Sequence, residues 1–150
     1  MRQEDIYEMI LHIEDVSIKM LKEQRKEVEE AIEDALSNKE SKPEMPTAEW
    51  DTDGMRMKMC ISSNVIAFCG TIERYESMVI YYTFRAWVES QTPEEYEIIF
   101  DIDEICEGLL KRSAAYGNRK KYDDFYKRWM QGKELMDVYR FLLMTSQVAN

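Results

Sequence analysis

Histidine, cysteine, glycine and proline are scarce in this chain of 150 residues, and their scarcity excludes several chemistries. His12 is the single histidine and lies in an apolar stretch, so no Ser–His–Asp or Cys–His catalytic arrangement can be proposed without it. The three cysteines, Cys60, Cys69 and Cys106, form no CxxC pair, which leaves a zinc site without suitably spaced ligands. An odd number of widely spaced cysteines favours reduced thiols, and we therefore expect a cytoplasmic protein.

Long apolar runs and phosphate-binding motifs are also missing. The longest run without a charged residue extends over fourteen positions, from Met59 to Ile72, and is too short to span a bilayer. No GxGxxG, P-loop or EF-hand pattern occurs, so nucleotide-binding loops and calcium have no support. The length and composition predict one globular domain over residues 1–150, with no membrane span, no metal and no cofactor.

Charged residues of both signs are abundant, but they are unevenly distributed and give a net charge of −10. Residues 1–53 carry a net charge of −9 and residues 91–110 one of −7, whereas residues 111–150 carry +5. A net charge this negative argues against general binding to nucleic acid or to anionic membranes, and it is compatible with a basic protein partner. Acidic blocks of this kind are also typical of a solubilising surface.

Apolar residues at three- and four-residue steps predict a long amphipathic helix from about Gln3 to Leu36. The apolar stripe covers Ile6–Leu21 and resumes at Val28; over the polar segment Lys22–Glu27 the helix either projects beyond the core or bends. At about 50 Å the helix is longer than one domain needs. We therefore expect a homodimer through this helix, with a monomer and a bent helix as the alternative. A loop or hinge is predicted over residues 37–53.

The central residues decide the fold class. Apolar residues occupy alternate positions around Met57 and Met59, and again from Met78 to Val88, where β-branched and aromatic residues are frequent. We therefore predict an α+β fold with a long N-terminal helix, a three-stranded antiparallel meander and then three helices. An all-α helical bundle is the alternative, because seven central residues also follow a three- and four-residue spacing. These are Val65, Phe68, Ile72, Tyr75, Val79, Tyr82 and Ala86.

The C-terminal part, residues 92–147, is predicted to be helical throughout. Thr92-Pro93, followed by two acidic residues, is typical of a helix start. Gly117-Asn118 is typical of a helix end. A further helix is predicted from about Lys120 to Gln131, and Gly132 separates it from a last amphipathic helix.

Acidic residues on two predicted helices form the first candidate site, because their spacing places each group on one helix face. The candidate partner-binding residues are Glu27, Glu29, Glu30, Glu33, Asp34, Glu94, Glu97, Asp101 and Glu104. We expect them to attract a basic protein that the chain inhibits or chaperones, in the manner of immunity proteins, antitoxins or phage-encoded inhibitors of nucleic-acid enzymes. The same two carboxylate faces support an alternative, a Mg²⁺-dependent all-α nucleotide pyrophosphohydrolase.

Residues 111–133 combine cations with aromatic residues and form the second candidate site. Its members are Arg119, Lys120, Lys121, Tyr122, Tyr126, Arg128 and Trp129. Such residues can contact phosphates and stack on bases, so nucleic-acid binding is a further alternative. They can equally neutralise the preceding acidic helix and place their aromatic rings in the core. Internal pairing is the simpler interpretation, and we do not expect nucleic acid to be the main partner.

Overall fold

The computed structural model describes residues 2–37, 47–51, 56–60, 63–92 and 101–149. Within these ranges the chain forms five helices, which are α1 (Gln3–Ser37), α2 (Ser63–Cys69), α3 (Ile72–Gln91), α4 (Ile102–Ser113) and α5 (Arg119–Ala149). Two short strands, β1 (Thr47–Asp51) and β2 (Arg56–Cys60), pair antiparallel between α1 and α2. Their register places Thr47 opposite Cys60 and Asp51 opposite Arg56.

The predicted α+β fold with a three-stranded meander is wrong, because the described residues are helical apart from this one hairpin. Met78–Val88 lies in α3, and Ile66 and Phe68 lie in α2. The alternation misleads because α3 is covered on all sides, so that the eight consecutive residues 77–84 are all buried. A helix that is apolar all round shows a period of two as readily as a period of 3.6. The fold is therefore all-α, as in the alternative prediction.

Helical structure is interrupted between α2 and α3, so the central residues do not form one long helix. Gly70 has a φ of 72°, a left-handed conformation that ends a right-handed helix. Thr71 then caps α3, because its side-chain oxygen accepts a hydrogen bond from the Arg74 backbone N–H at 3.2 Å. The break allows the short α2 to pack against α1, while α3 packs against α1, α4 and α5.

The N-terminal half of α1 packs into the core of its own chain. Ile6, Met9, Ile10 and Ile13 are all buried there, so these residues of the stripe expected to pair with a second copy are already covered. The helix is uninterrupted through the polar segment Lys22–Glu27. Homodimerisation through α1 stays a prediction, although these four side chains are used within a single chain.

α5 is one continuous helix, so the predicted interruption at Gly132 is wrong. Gly132 instead marks the place where α3 and α5 approach each other closely. A Cβ atom at this position would overlap the backbone carbonyl of Ser77 and the side chain of Tyr81. Glycine is therefore present for close helix packing and not to end a helix.

Aromatic side chains fill the interface between α3 and α5. The ring centroids of Tyr81 and Trp129 lie 5.9 Å apart, and the ring of Phe84 meets that of Phe125 edge-on at 5.8 Å. All four side chains are fully buried. Aromatic residues bury more apolar area than any other side chains, so this interface is a major source of stability.

The turn between α4 and α5 agrees with the helix end predicted at Gly117-Asn118. Gly117 has a φ of 72°, and its Cα faces the ring of Tyr7, which leaves no room for a side chain. The Asn118 side chain accepts hydrogen bonds from the backbone N–H groups of Lys120 and Lys121, and this cap starts α5. The Tyr7 hydroxyl accepts a hydrogen bond from the Asn118 N–H at 2.9 Å and fixes the turn to α1.

Thr92, which is predicted to start a helix, lies at the end of one. Thr92 caps the end of α3, and its backbone N–H donates to the carbonyl of Glu89. Residues 93–100 lie outside the described residues. α4 begins at Ile102, with the Asp101 side chain accepting a hydrogen bond from the Asp103 N–H at 3.0 Å.

One hydrophobic cluster contains residues from all five helices, with α3 at its centre. β1 runs alongside α3. The loop predicted over residues 37–53 falls mostly outside the described residues, and β1 lies within that range. Among the helices that the structure describes, none has the length and apolarity needed to cross a membrane.

Candidate functional site

The distal half of α1 carries the acidic residues of the first candidate site, and all of them are exposed. These residues are Glu27, Glu29, Glu30, Glu33 and Asp34, which we call the acidic face. Val28 is buried, and the other side chains that the structure describes between positions 22 and 34 are exposed. Arg25 Nε lies 3.3 Å from Glu29 Oε1 in a surface ion pair. The prediction of a solvent-facing acidic surface agrees with this geometry, whereas its role in binding is untested.

The second acidic group is only partly described. Glu94 and Glu97 lie outside the described residues. Asp101 is the N-cap of α4, and Glu104 is exposed in the first turn of that helix. Acidic residues at these positions stabilise a helix through its dipole, so a structural role accounts for both.

The magnesium-dependent alternative requires carboxylates from two helices to converge on one point. In the part of the chain that the structure describes, no three acidic, histidine or cysteine side chains are placed to hold a metal ion together. Glu30 and Glu104, which this alternative assigns to facing helices, are both exposed to solvent. The hydrolase therefore stays an untested prediction to which the described geometry adds nothing.

The aromatic residues of the second candidate site belong to the core. Tyr122 and Trp129 are buried, and Tyr126 is half-buried with its hydroxyl donating to Glu107 Oε1 at 3.4 Å. The rings of Tyr122 and Tyr126 stack on each other with 5.9 Å between their centroids. Bases cannot reach the faces of buried rings, so the predicted stacking surface for nucleic acid is not formed by these residues.

Arg128, another member of the second site, is the centre of a half-buried ion triad. Its Nη1 lies 2.7 Å from Glu76 Oε1 and its Nη2 lies 2.8 Å from Glu14 Oε1, so it joins α5 to α3 and α1. Burial raises the pKa of the Glu14 carboxyl, and the positive charge of Arg128 opposes this effect without cancelling it. Arg128 therefore pairs with two carboxylates of its own chain, and this internal pairing accounts for its charge.

The other cations of the second site lie at the surface. Arg119 Nε is 3.1 Å from Asp123 Oδ1, and its guanidinium lies 5.5 Å from the centroid of the Tyr122 ring. Lys120 and Lys121 are exposed and make no ion pair with another described residue. The predicted basic–aromatic site is therefore divided between aromatic residues of the core, two ion-paired arginines and two exposed lysines.

A surface that the sequence reasoning missed lies toward the C-terminal end of α5. Val138, Phe141, Leu142 and Met144 are 52%, 64%, 48% and 65% exposed, and we call these four residues the apolar patch. The spacing places Val138, Phe141 and Leu142 on one side of the helix, with Met144 one turn beyond Phe141. Single exposed apolar residues are ordinary, but four large ones within seven positions are typical of an interaction surface.

The sequence does contain a signal for the apolar patch, which is the run of four apolar residues Phe141–Met144. The spacing of the apolar residues after Gly132 nevertheless predicts an ordinary amphipathic helix there. In the structure Met136 and Tyr139 are buried and Leu143 is partly buried, whereas Leu142 faces outward. The end of α5 is covered on one side only, unlike α3, so its four consecutive apolar residues are not all buried.

The apolar patch and the acidic face lie toward the same end of the molecule. α1 and α5 run in the same direction, because Tyr7 contacts the turn before α5 and Glu14 pairs with Arg128 further along both helices. Beyond that ion pair α1 continues for about 35 Å and α5 for about 30 Å. α2 packs against both helices, and the ring centroid of Phe68 in α2 lies 5.4 Å from that of Tyr139 in this part of α5.

A cleft of about 360 Å³ adjoins the apolar patch. Its lining residues are Phe68, Arg74, Gln131, Glu134, Leu135 and Val138. Val138 belongs to both features, so the cleft and the patch are continuous. A partner side chain can therefore enter the cleft while its neighbours cover the patch.

No protein-family model matches this chain, and no curated protein or solved structure matches it either. Its function is therefore inferred from the surfaces and contacts of the described residues. Two features stand out among them, the acidic face on α1 and the apolar patch on α5.

Proposed function

We propose that this chain is a non-enzymatic cytoplasmic protein that binds a basic protein partner and thereby inhibits or chaperones it. The observation that supports this proposal most strongly is the apolar patch, because large exposed apolar side chains on one helix are typical of protein-interaction surfaces. The basic character of the partner follows from the net charge of −10 and from the exposed acidic face at the same end of the molecule.

The apolar patch supplies the affinity. Complete burial of a large apolar side chain contributes about 1.5–3 kcal/mol, and Phe141 and Met144 have the most area left to bury. Methionine is flexible and polarisable, so Met144 can adapt to the shape of a partner. The cleft beside Val138 can receive an anchoring side chain, which would concentrate binding energy at one point.

The acidic face increases the rate of encounter with a basic partner and favours such a partner over others. Glu27 and Glu30 are exposed and form no ion pair with any described residue. Their charges therefore act outward and attract a basic surface before contact is made. A basic groove on an enzyme that handles nucleic acid would meet this requirement, which is the reason for expecting inhibition of such an enzyme.

Affinity capture from the native host, with quantification by mass spectrometry, tests the proposal. The wild type is compared with Phe141→Ser/Met144→Ser and with a control, Lys120→Ser/Lys127→Ser, which places two serines at exposed positions of the same helix. The wild type and the control should capture the same basic protein, and the patch variant should recover roughly tenfold less of it or lower still. Equal recovery by the patch variant, or an acidic partner, would contradict the proposal.

A further inference from the structure

A buried polar cluster lies where α3, α4 and α5 meet, and it contains more hydrogen-bond donors than acceptors. The carboxylate of Asp103 is buried, and its Oδ1 accepts a hydrogen bond from the Tyr81 hydroxyl at 2.6 Å. Arg85 Nε lies 3.6 Å from the same oxygen, and Arg140 Nη1 lies 3.8 Å from Oδ2. These are ion-pair distances that are too long for hydrogen bonds.

Two donors of this cluster have no acceptor among the described residues. They are Arg85 Nε and the hydroxyl of Tyr82, a residue that is only 3% exposed. Tyr82 and Arg85 are three positions apart on α3, so their side chains lie on the same side of the helix. Burial raises the pKa of Tyr82, and the charges of Arg140 and Arg85 oppose this effect. Buried polar groups are nearly always paired, and two unpaired donors at one place point to an acceptor that binds there.

Among the described residues, only one carboxylate is buried beside the two arginines of the cluster. Two arginines share the one buried carboxylate of Asp103, and the other acidic partner, Asp137, is an exposed residue 3.5 Å from Arg140. The side chains of Arg85 and Arg140 are 27% and 30% exposed, so the cluster adjoins the surface. Arg85 Nε and the Tyr82 hydroxyl are themselves covered, so a ligand reaches them when the arginine side chains move aside. The N-terminus of α4, which carries Asp103 in its first turn, adds a positive partial charge.

We propose that Arg85, Arg140 and Tyr82 form a binding site for a small oxyanion, either a phosphate group or a carboxylate group. Both groups offer only acceptors, and either can accept from the Arg85 Nε–H, a second guanidinium and the Tyr82 hydroxyl. The binding satisfies the two unpaired donors and places a second negative charge inside the cluster, against its two arginines. This site is independent of the proposed protein partner, since neither Phe141 nor any other member of the apolar patch takes part in it.

Thermal unfolding of the full chain in three sodium salts at equal ionic strength tests the proposal. Phosphate or acetate should raise the midpoint by roughly 2–4 °C over chloride once its concentration exceeds its Kd several-fold. A shift with phosphate alone assigns a phosphate group, and a shift with acetate alone assigns a carboxylate. Equal midpoints in all three salts would overturn the proposal.

Two variants locate the effect. Tyr82→Phe should abolish most of the anion-dependent shift, and in chloride it should not lower the midpoint because the missing hydroxyl has no partner there. Arg119→Gln removes an exposed arginine of α5 and should retain the full shift. A shift that persists in Tyr82→Phe but disappears in Arg119→Gln would place the anion on the surface and overturn the proposal. A lower midpoint of Tyr82→Phe in chloride would show that the hydroxyl is already paired, and would also overturn it.

Discussion

Gly108 and Gly132 both lie inside helices, but the space around them differs. A Cβ atom at Gly108 in α4 would meet nothing within 4 Å. At Gly132 in α5 it would overlap the carbonyl oxygen of Ser77, so α3 and α5 would have to move apart. Alanine stabilises a helix relative to glycine by roughly 1 kcal/mol. A glycine-to-alanine substitution therefore raises the free energy of unfolding only where this gain exceeds the cost of crowding.

We therefore expect the two alanine variants to shift stability in opposite directions. Gly108→Ala should raise the free energy of unfolding by about 0.5–1 kcal/mol, since it gains helix propensity without a clash. Gly132→Ala should lower it by about 1–3 kcal/mol. Urea denaturation followed by circular dichroism measures both. A Gly132→Ala variant as stable as Gly108→Ala would contradict the close approach of α3 and α5.

Cys69 and Cys106 are fully buried, and their environment suppresses thiol chemistry. Burial raises the pKa of the Cys69 thiol to about 12 and also raises that of Cys106. Because the thiolate is the reactive form, a Cys60→Ser variant should react with Ellman's reagent roughly 100-fold more slowly when native than when unfolded in urea. Absorbance at the dye's wavelength follows both reactions. Complete labelling of the native variant within minutes would contradict the burial of these residues.

The ion triad around Arg128 connects three elements, α1, α3 and α5, and gives stability a defined pH dependence. Glu14 has a raised pKa because burial opposes its ionisation more than Arg128 favours it. The native state therefore holds this proton more tightly than the unfolded chain does. For such a group the free energy of unfolding increases as the pH falls through the raised pKa, and decreases as the pH rises.

Comparison with Glu14→Gln isolates this contribution. The free energy of unfolding of the wild type, minus that of Glu14→Gln, should increase as the pH is lowered from 7 toward 4.5. Urea denaturation at several pH values measures the difference, and Glu29→Gln, which replaces an exposed carboxyl on the same helix, is the control. A difference that decreases on acidification would contradict the burial of Glu14.

Two helices, α1 and α3, show which elements the sequence could predict and which it could not. α1 was predictable because its polar and apolar faces are separate, with Ile6, Met9 and Ile13 at helical spacing. α3 was not, since its neighbours cover all of its sides and its β-branched and aromatic residues resemble those of a strand. What makes it a helix in the core is packing against Trp129 and Phe125, which lie more than forty positions away along the chain.

The candidate sites also contain features that the sequence could predict and features that it could not. The exposure of Glu27 and Glu30 follows from their position on the polar face of an amphipathic helix, which periodicity alone predicts. The burial of Tyr122 and Trp129 does not, because a local pattern of cations and aromatic residues fits a surface and a core equally well. The apolar patch was missed because no sequence rule says which of several adjacent apolar residues face the core.

At the scale of the whole molecule, the rate of association with a partner should depend on where the acidic residues lie as well as on the net charge. Reversing two charges of the acidic face, in Glu27→Lys/Glu30→Lys, should slow association with the captured partner by roughly tenfold at low salt. The effect should fade as salt is added, and the dissociation rate should change little. Stopped-flow fluorescence or surface plasmon resonance over a series of salt concentrations measures both rates.

A second charge-reversal variant separates a local effect from a global one. Glu8→Lys/Asp15→Lys changes the net charge by the same amount, but at exposed positions in the other half of α1. This variant should slow association less than Glu27→Lys/Glu30→Lys. Equal rates for the two variants would show that only the net charge acts and would remove the acidic face from the account.

The central claim is that the exposed end of α5 is where this protein meets its partner, and hydrogen exchange of the free and partner-bound chain tests it most directly. Peptides from residues 135–149 should exchange more slowly in the complex, because the apolar patch becomes covered and that end of the helix opens less often. Peptides from residues 119–130 should not change. Protection confined to residues 102–133, with no change over residues 135–149, would contradict the account.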